Sequence, residues 1–257
     1  MKDIYVYDGT NVLINKLDLR DSKLLDEKEG SIVSLNVFDL ISHPFVIQSV
    51  FDIKKIHKLL FSDLYEWAGE NRKINMYKEE PVLNGLSVNY SEYKSIDTDL
   101  NRLDVYFKNV SWKELSHKEI IEEIVIIISK LWRIHCFREG NTRTTTTFLY
   151  LFMKQLRLKV NIDFIGRHAK YFRNALVLAS IDQYSEYEHL TNILLDSISM
   201  KEIESGKYKT IREYEVEKYE YREHKYKDWL ISSRVSLAPP SLKSRNRAIG
   251  FFLLYKY

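Results

Sequence analysis

The sequence predicts an all-α fold: a helical bundle that carries one small β-hairpin. Three observations point there. Only eight Gly and four Pro punctuate 257 residues, and neither occurs from Tyr90 to Glu139, a stretch long enough for several uninterrupted helices. Apolar residues recur at helical rather than alternating spacing in most of the patterned segments. A single segment, Ile74 to Tyr90, has β-prone flanks around the turn dipeptide Asn84-Gly85, which is a hairpin signal. One lone hairpin cannot form a sheet core, so it belongs on the surface of a helical body.

The elements follow in chain order. In FDIKKIHKLLFSDLYEWAG, the residues Phe51, Ile53, Ile56, Leu59, Leu60, Leu64 and Trp67 share a helical stripe, and Gly69 is the expected stop. The segment HKEIIEEIVIIISKLWRIH is the most apolar of the chain. Its isoleucines suit a strand, but its length and Glu/Lys flanks argue for a buried helix. FLYLFMKQLRL, YFRNALVLASID and EYEHLTNILLDSI read as three more helices. Beyond Ser199 the chain changes character. The stretch KYKTIREYEVEKYEYREHKYKDW is charged and tyrosine-rich, SLAPPSLKSRNR reads as a linker, and GFFLLYKY is an apolar end suited to docking on the body or a partner. The expected division is therefore a domain over 1–199 and a charged extension over 200–257.

Composition narrows the functional classes. Hydrophobic residues make up 45% and charged residues 29%, as in ordinary globular proteins. No apolar run is long enough to span a bilayer, the first residues lack the pattern of a secretion signal, and a single cysteine, Cys136, allows no internal disulfide. These features predict a cytoplasmic protein without a membrane partner. Residues 201–257 hold 13 Lys/Arg against 8 Asp/Glu, a balance of +5, while the rest holds 26 against 28, a balance of −2. The basic excess is read as a solvated tail rather than a nucleic-acid contact.

The chemistry gathers in HCFREGNTRTTTTF, His135 to Phe148. Gly140 and Asn141 tolerate backbone geometries that turn successive N–H groups towards one anion. A helix starting near Thr142–Thr144 adds its unpaired N–H groups and its dipole. Arg143 offers a planar donor fork to phosphate, Glu139 a hard oxygen ligand for Mg²⁺, and His135 a general base near neutral pH. These parts together suit phosphoryl or nucleotidyl transfer. A Cys–His nucleophilic pair at His135-Cys136 is disfavoured because sequence neighbours rarely face each other, and one cysteine without a His pair does not make a zinc site.

HCFREGNTR closely resembles the Fic motif, His-Pro-Phe-x-(Asp/Glu)-Gly-Asn-(Gly/Lys)-Arg-x-x-Arg. DGTNVLINKLDLRD is similar to the N-terminal segment of bacterial Fic/Doc-type, toxin-like proteins, LFSDLYEWAGENRKINMYK to the helix and Trp-Ala-Gly turn that lead into their flap, and YFRNALVLASID to the helix after the motif. The resemblance covers roughly residues 4–200 and implies a Fic-type helical bundle with a β-hairpin flap beside the active-site loop. It implies AMP transfer from ATP, with Mg²⁺, to a hydroxyl of a target protein. In that reading His135 deprotonates the hydroxyl and Glu139 holds Mg²⁺. Gly140, Asn141 and Thr142 cradle phosphate, Arg143 pairs with the β-phosphate, and Phe137 buries itself to fix the loop. The flap residues Ile74, Asn75, Met76 and Lys78 dock the target, and Asn174 and Tyr171 line the adenine site.

The sequence departs from the motif at Cys136, at Thr142 and above all at Thr146, which stands where the family has a second arginine that grips the γ-phosphate. Losing that contact is expected to weaken nucleotide anchoring by about 1.5–3 kcal/mol. In the family this arginine also pairs with the glutamate of a self-inhibitory helix, (Ser/Thr)-x-x-x-Glu-(Gly/Asn). The stretch SIVSLN matches it imperfectly at Ser31 and Asn36, with Leu35 in the glutamate's place. The expectation is a chain without the usual internal inhibitory glutamate. Its candidate partners are a target protein bearing Ser, Thr or Tyr hydroxyls, a separate antitoxin and, through the tail tyrosines, the chain itself. Two alternatives stand beside this reading: the same fold with another donor or transferred group, and a non-catalytic nucleotide-binding module.

Overall fold

The computed structural model describes residues 3–204, with side chains described to Ile198; the expected tail features lie outside the described residues. Eight α-helices are present among them: α1 (Ser22–Ser42), α2 (Asp52–Phe61), α3 (Ile96–Asn109), α4 (His117–Ile134), α5 (Asn141–Gln155), α6 (Ile162–Arg167), α7 (Ala169–Leu178) and α8 (Glu188–Glu204). The last runs past the boundary expected at Ser199. None of the described helices is long and apolar enough to cross a membrane.

The apolar segment resolves as the helix its length argued for. Ser116 caps α4 by accepting from the Glu119 N–H, while the Glu119 carboxylate takes the Ser116 N–H at 2.8 Å, a reciprocal capping box. Its buried residues, including Ile121, Ile124, Val125, Ile128 and Trp132, surround much of its circumference because α3, α5, α7 and α8 all pack against it. On the other side of α5 lies α2, which in turn carries α1. The expected helix from Phe51 to Gly69 stops at Phe61. Of its remaining stripe, Leu64 is buried and Trp67 half-buried, but in turns that bring Gly69, at φ +86°, back against α2.

The hairpin expectation needs correction. Residues 74–90 do reverse direction, but no strand forms among the described residues. Pro81 opens a 3₁₀ turn over Pro81–Leu83, and two backbone bonds, Glu80 N–H to the Leu86 carbonyl at 3.0 Å and Gly85 N–H to the Glu80 carbonyl at 3.1 Å, close it. The arms bury their side chains in the body instead of pairing: Ile74, Leu83, Val88 and Tyr90 all belong to the core. A guanidinium does the work of a ladder. Arg72 gives Nη1 to the Ile74 carbonyl at 2.6 Å, Nη2 to the Ser91 carbonyl and Nε to the His135 carbonyl at 2.7 Å, so both ends of the flap are tied to the loop after α4.

Candidate active site

The loop between α4 and α5 brings the motif residues together. His135 ends α4 in the left-handed region, φ +52°, a conformation rare for side chains other than Asn, Asp and His. Its Nδ1 lies 3.3 Å from the Trp132 carbonyl. A carbonyl only accepts, so Nδ1 carries the proton and Nε2 keeps its lone pair. Burial, with the charges of Lys78 and Arg72, pushes the imidazole well below its ordinary value; the Trp132 carbonyl opposes them and the Arg173 charge adds to them. The result is a neutral imidazole, the form a general base needs.

Asn141 closes the loop with its side chain. Its Oδ1 accepts the Phe137 N–H at 2.9 Å and its Nδ2 donates to the Phe137 carbonyl at 2.7 Å. Phe137 is buried, as the sequence reading expects, and its ring stacks on His57 at 3.8 Å. Gly140 sits at φ +80°, and a Cβ there would come 2.3 Å from Cζ of Phe61. The backbone N–H groups of Asn141, Thr142 and Arg143 meet no backbone acceptor among the described residues, as expected for the first turn of a helix. Glu139 receives the Gly140 N–H at 3.0 Å on Oε1. Burial works to raise its carboxyl, but Lys78, Arg143, the Gly140 amide and Arg138 outweigh that and bring it to about 2.

Four threonines build the first turns of α5. The hydroxyls of Thr144, Thr146 and Thr147 donate to the carbonyls of Gly140, Thr142 and Arg143, each at 2.8 Å. They are spent on their own helix, so Thr146 brings no charge to the loop. The Thr142 hydroxyl accepts from Trp132 Nε1 at 3.0 Å.

Arg143 has a partner the sequence reading did not name. Its Nη2 pairs with the carboxylate of Glu29 on α1 and stands 3.8 Å from Glu139, while its guanidinium carbon lies 4.9 Å from the centroid of Phe61. Tyr65 donates to the other oxygen of Glu29. The residues read as a degenerate inhibitory stretch make other contacts: Leu35 is 70% exposed, Ser31 bonds to the Glu27 carbonyl and Asn36 to Leu60 and Asp63. A signal for Glu29 existed in the pair Glu29-Gly30; it was obscured because Leu25 occupies the pattern's Ser/Thr position.

Other supports were equally unread. His57 accepts the Gly69 N–H at 2.8 Å on Nδ1 and donates from Nε2 to the Glu139 carbonyl at 3.1 Å; Arg138 holds Asp3 at 2.7 Å. On the flap, Asn75 accepts the Tyr93 N–H at 2.9 Å, Met76 packs on the core and the Lys78 N–H donates to Ser87 at 3.1 Å. On α7, Asn174 is half-buried and the Tyr171 hydroxyl lies 2.8 Å from His189. Burial pushes the Cys136 thiol up to about 12, which removes it as a nucleophile. One carboxylate beside an anion-binding helix start is a donor set that suits Mg²⁺ only together with phosphate oxygens. No cluster of three or more metal-ligating side chains occurs among the described residues.

A helical body that sets a buried histidine, a glutamate and a helix N-terminus on one loop is an arrangement chemically suited to phosphate. Comparison with known proteins gives the family. The Fic/DOC family profile matches residues 48–153. "Probable protein adenylyltransferase y4lH" of Sinorhizobium fredii is 30% identical over 154 residues, 58% of this chain and 74% of that protein. The chain belongs to the Fic/DOC family. Protein adenylyltransferase VbhT of Bartonella schoenbuchensis is 26% identical over 197 residues, which is 75% of this chain but 38% of VbhT. Among solved structures, the N-terminal FIC domain of Bep8 from Bartonella sp. 1-1C superposes with TM-score 0.64 at 21% identity, covering 77% of this chain and 96% of that one. BepC from Bartonella tribocorum, with bound AMPPNP, gives 0.62 at 23%, covering 75% and 95%. These structural likenesses establish the fold.

Proposed function

We propose that the chain is a protein adenylyltransferase that moves AMP from ATP to a hydroxyl of a target protein. The observation that carries this reading is the buried His135, its Nδ1 3.3 Å from the Trp132 carbonyl, set on the loop that leads into the N-terminus of α5. The hydroxyl oxygen attacks the α-phosphorus, the bond to the β-phosphate oxygen breaks, pyrophosphate leaves, and the hydroxyl proton passes to Nε2 of His135. The N–H groups of Asn141 and Thr142, with Gly140 at the turn, hold phosphate oxygens. Arg143 serves the β-phosphate. Glu139 is the ligand for Mg²⁺, which neutralises phosphate charge when bound. The relatives named as adenylyltransferases, and AMPPNP in BepC, support the nucleotide and the protein target.

The flap residues Ile74, Asn75, Met76 and Lys78 are read as the docking edge for an extended target segment, and Asn174 and Tyr171 as the adenine side. The restraint on this site differs from the usual pair, because Thr146 has no charge to offer a glutamate. We infer that Glu29 instead competes with the β-phosphate for Arg143. Incubation of the chain with Mg²⁺ and isotope-labelled ATP, beside His135→Ala, tests the reading. AMP should appear on protein with the parent and not with the variant. Transfer of phosphate alone, read by intact mass, would favour the other-donor alternative, and unaltered biological effect in His135→Ala would favour the binding module.

A further inference from the structure

His135 is held by more than its own helix. Tyr90, on the returning arm of the flap, stacks on the imidazole with centroids 4.0 Å apart and planes 29° apart. Trp132 meets the same ring edge-on at 5.4 Å. Both aromatic rings are anchored to one buried ion pair. The Tyr90 hydroxyl donates to Oε1 of Glu80 at 3.3 Å, and both Glu80 oxygens lie 2.8 Å from Nη2 of Arg173 on α7. The Arg173 guanidinium carbon stands 5.0 Å from the Trp132 centroid. The contacts therefore close a circuit: base, Tyr90, Glu80, Arg173, Trp132, base.

This pair is a poor choice for stability alone. The two side chains are 4% and 10% exposed, and Arg173 Nε and Nη1 have no acceptor among the described residues. Taking two charges out of water is costly, and well-packed apolar residues often hold a core as well. What an ion pair adds is direction. It fixes the Tyr90 hydroxyl, and through it the plane against which the imidazole lies, from two flap arms and one helix at once.

We propose that Glu80, Arg173 and Tyr90 are positioning residues that hold His135 in one rotamer and one tautomer, with Nε2 towards the incoming hydroxyl. The inference rests on the reading of His135 as the base. Neither Glu80 nor Arg173 touches the reacting atoms; they act through Tyr90 and Trp132.

The test uses the full chain, Tyr90→Phe, Glu80→Gln, Arg173→Lys and Arg173→Met. ¹⁵N spectra of the His135 imidazole, recorded without nucleotide, should show one protonated Nδ1 and one unprotonated Nε2 in the parent. In Tyr90→Phe both signals should move towards the averaged position of mixed tautomers. Pyrophosphate release at saturating Mg²⁺–ATP, with the proteins of a cell lysate supplying the acceptor hydroxyl, should slow about tenfold in Tyr90→Phe, with the half-saturating ATP concentration unchanged. Arg173→Lys, which keeps the charge, should recover part of the rate lost in Arg173→Met. Should Glu80→Gln fail to fold, Tyr90→Phe, which removes one oxygen and keeps the ring, decides alone. An unshifted ¹⁵N pattern in Tyr90→Phe, or a rate loss matched by an equal rise in half-saturating ATP, overturns the proposal. If the parent releases no pyrophosphate even with the proteins of a cell lysate added as acceptors, the transferase reading falls, while the ¹⁵N pattern still decides the positioning role.

Discussion

Gly140 is constrained twice, by a left-handed backbone and by the Phe61 ring 2.3 Å from where a Cβ would stand. Gly140→Ala should therefore lower stability by at least about 2 kcal/mol and abolish ATP binding, since Phe61 also carries Arg143 on its face. Thermal melts and calorimetry with Mg²⁺–ATP read both; a variant that binds ATP normally would show that the loop has room to shift. Glu29 predicts a split of the opposite kind. Its carboxylate is paired with Arg143 and Tyr65, so Glu29→Gln should cost about 1–3 kcal/mol of folding stability. The same change leaves Arg143 without its α1 partner, and ATP should bind about tenfold more tightly, roughly 1.4 kcal/mol. Chemical denaturation and ATP titration of the same preparation check the two signs. Equal or weaker ATP binding would mean that Glu29 only supports the core. The burial that pushes Tyr65 up, with the adjoining Glu29 charge adding to it, keeps that phenol a donor throughout the range of such experiments.

The flap is the element where local signals and tertiary structure disagree. Asn84 and Gly85 do adopt positive φ, 53° and 86°, as a hairpin turn of that sequence should. Pro81 nevertheless starts a 3₁₀ turn before them, and the arms answer to the core rather than to each other. Arg72 was invisible to pattern reading because its three acceptors are backbone carbonyls, two of them from residues distant in the chain, which leave no trace in side-chain periodicity. Arg72→Lys keeps the charge but loses the fork. It should destabilise the fold by about 2–4 kcal/mol, since buried carbonyls are left unmet. Hydrogen exchange should then quicken first at Ser91, whose carbonyl takes that guanidinium and whose N–H meets the Arg133 carbonyl. Uniform loosening across all helices would instead place Arg72 in the general core. Five helices, α2, α4, α5, α7 and α8, were readable because burial on one or more faces imposes a period that survives in the sequence, whereas α1, α3 and α6 were not read individually; α4 and α7 lie where their apolar runs fall. In the same way the loop from His135 to Arg143 was legible as a contiguous motif, whereas Glu29, His57, Glu80 and Arg173 reach it from elsewhere and were not.

At the scale of the whole molecule, these contacts make stability depend on pH with a definite sign. Burial brings His57 down to about 3, partly offset by its bond to the Glu139 carbonyl. His135 is held well below its ordinary value by burial and by Lys78 and Arg72, and burial also lowers His168 and His189. In the unfolded chain each histidine takes a proton near pH ~6.5. Below that value the unfolded state binds more protons than the native one, so stability falls with falling pH, by at most about 1.4 kcal/mol per pH unit for each histidine involved. The carboxylates act lower. Glu139, brought to about 2, contributes fully above its unfolded value near ~4.3 and loses that contribution only beneath it. Between about pH 6 and about pH 5 the histidines therefore dominate the slope. Urea denaturation across that interval should show a steady loss, and His57→Gln, less stable overall, should show a slope shallower by up to one proton. A stability that stays flat from neutral pH to about 5 would mean that the native fold accepts those protons. An imidazole already charged in the fold could not take the proton of an incoming hydroxyl, so the same measurement bears on His135 as a base.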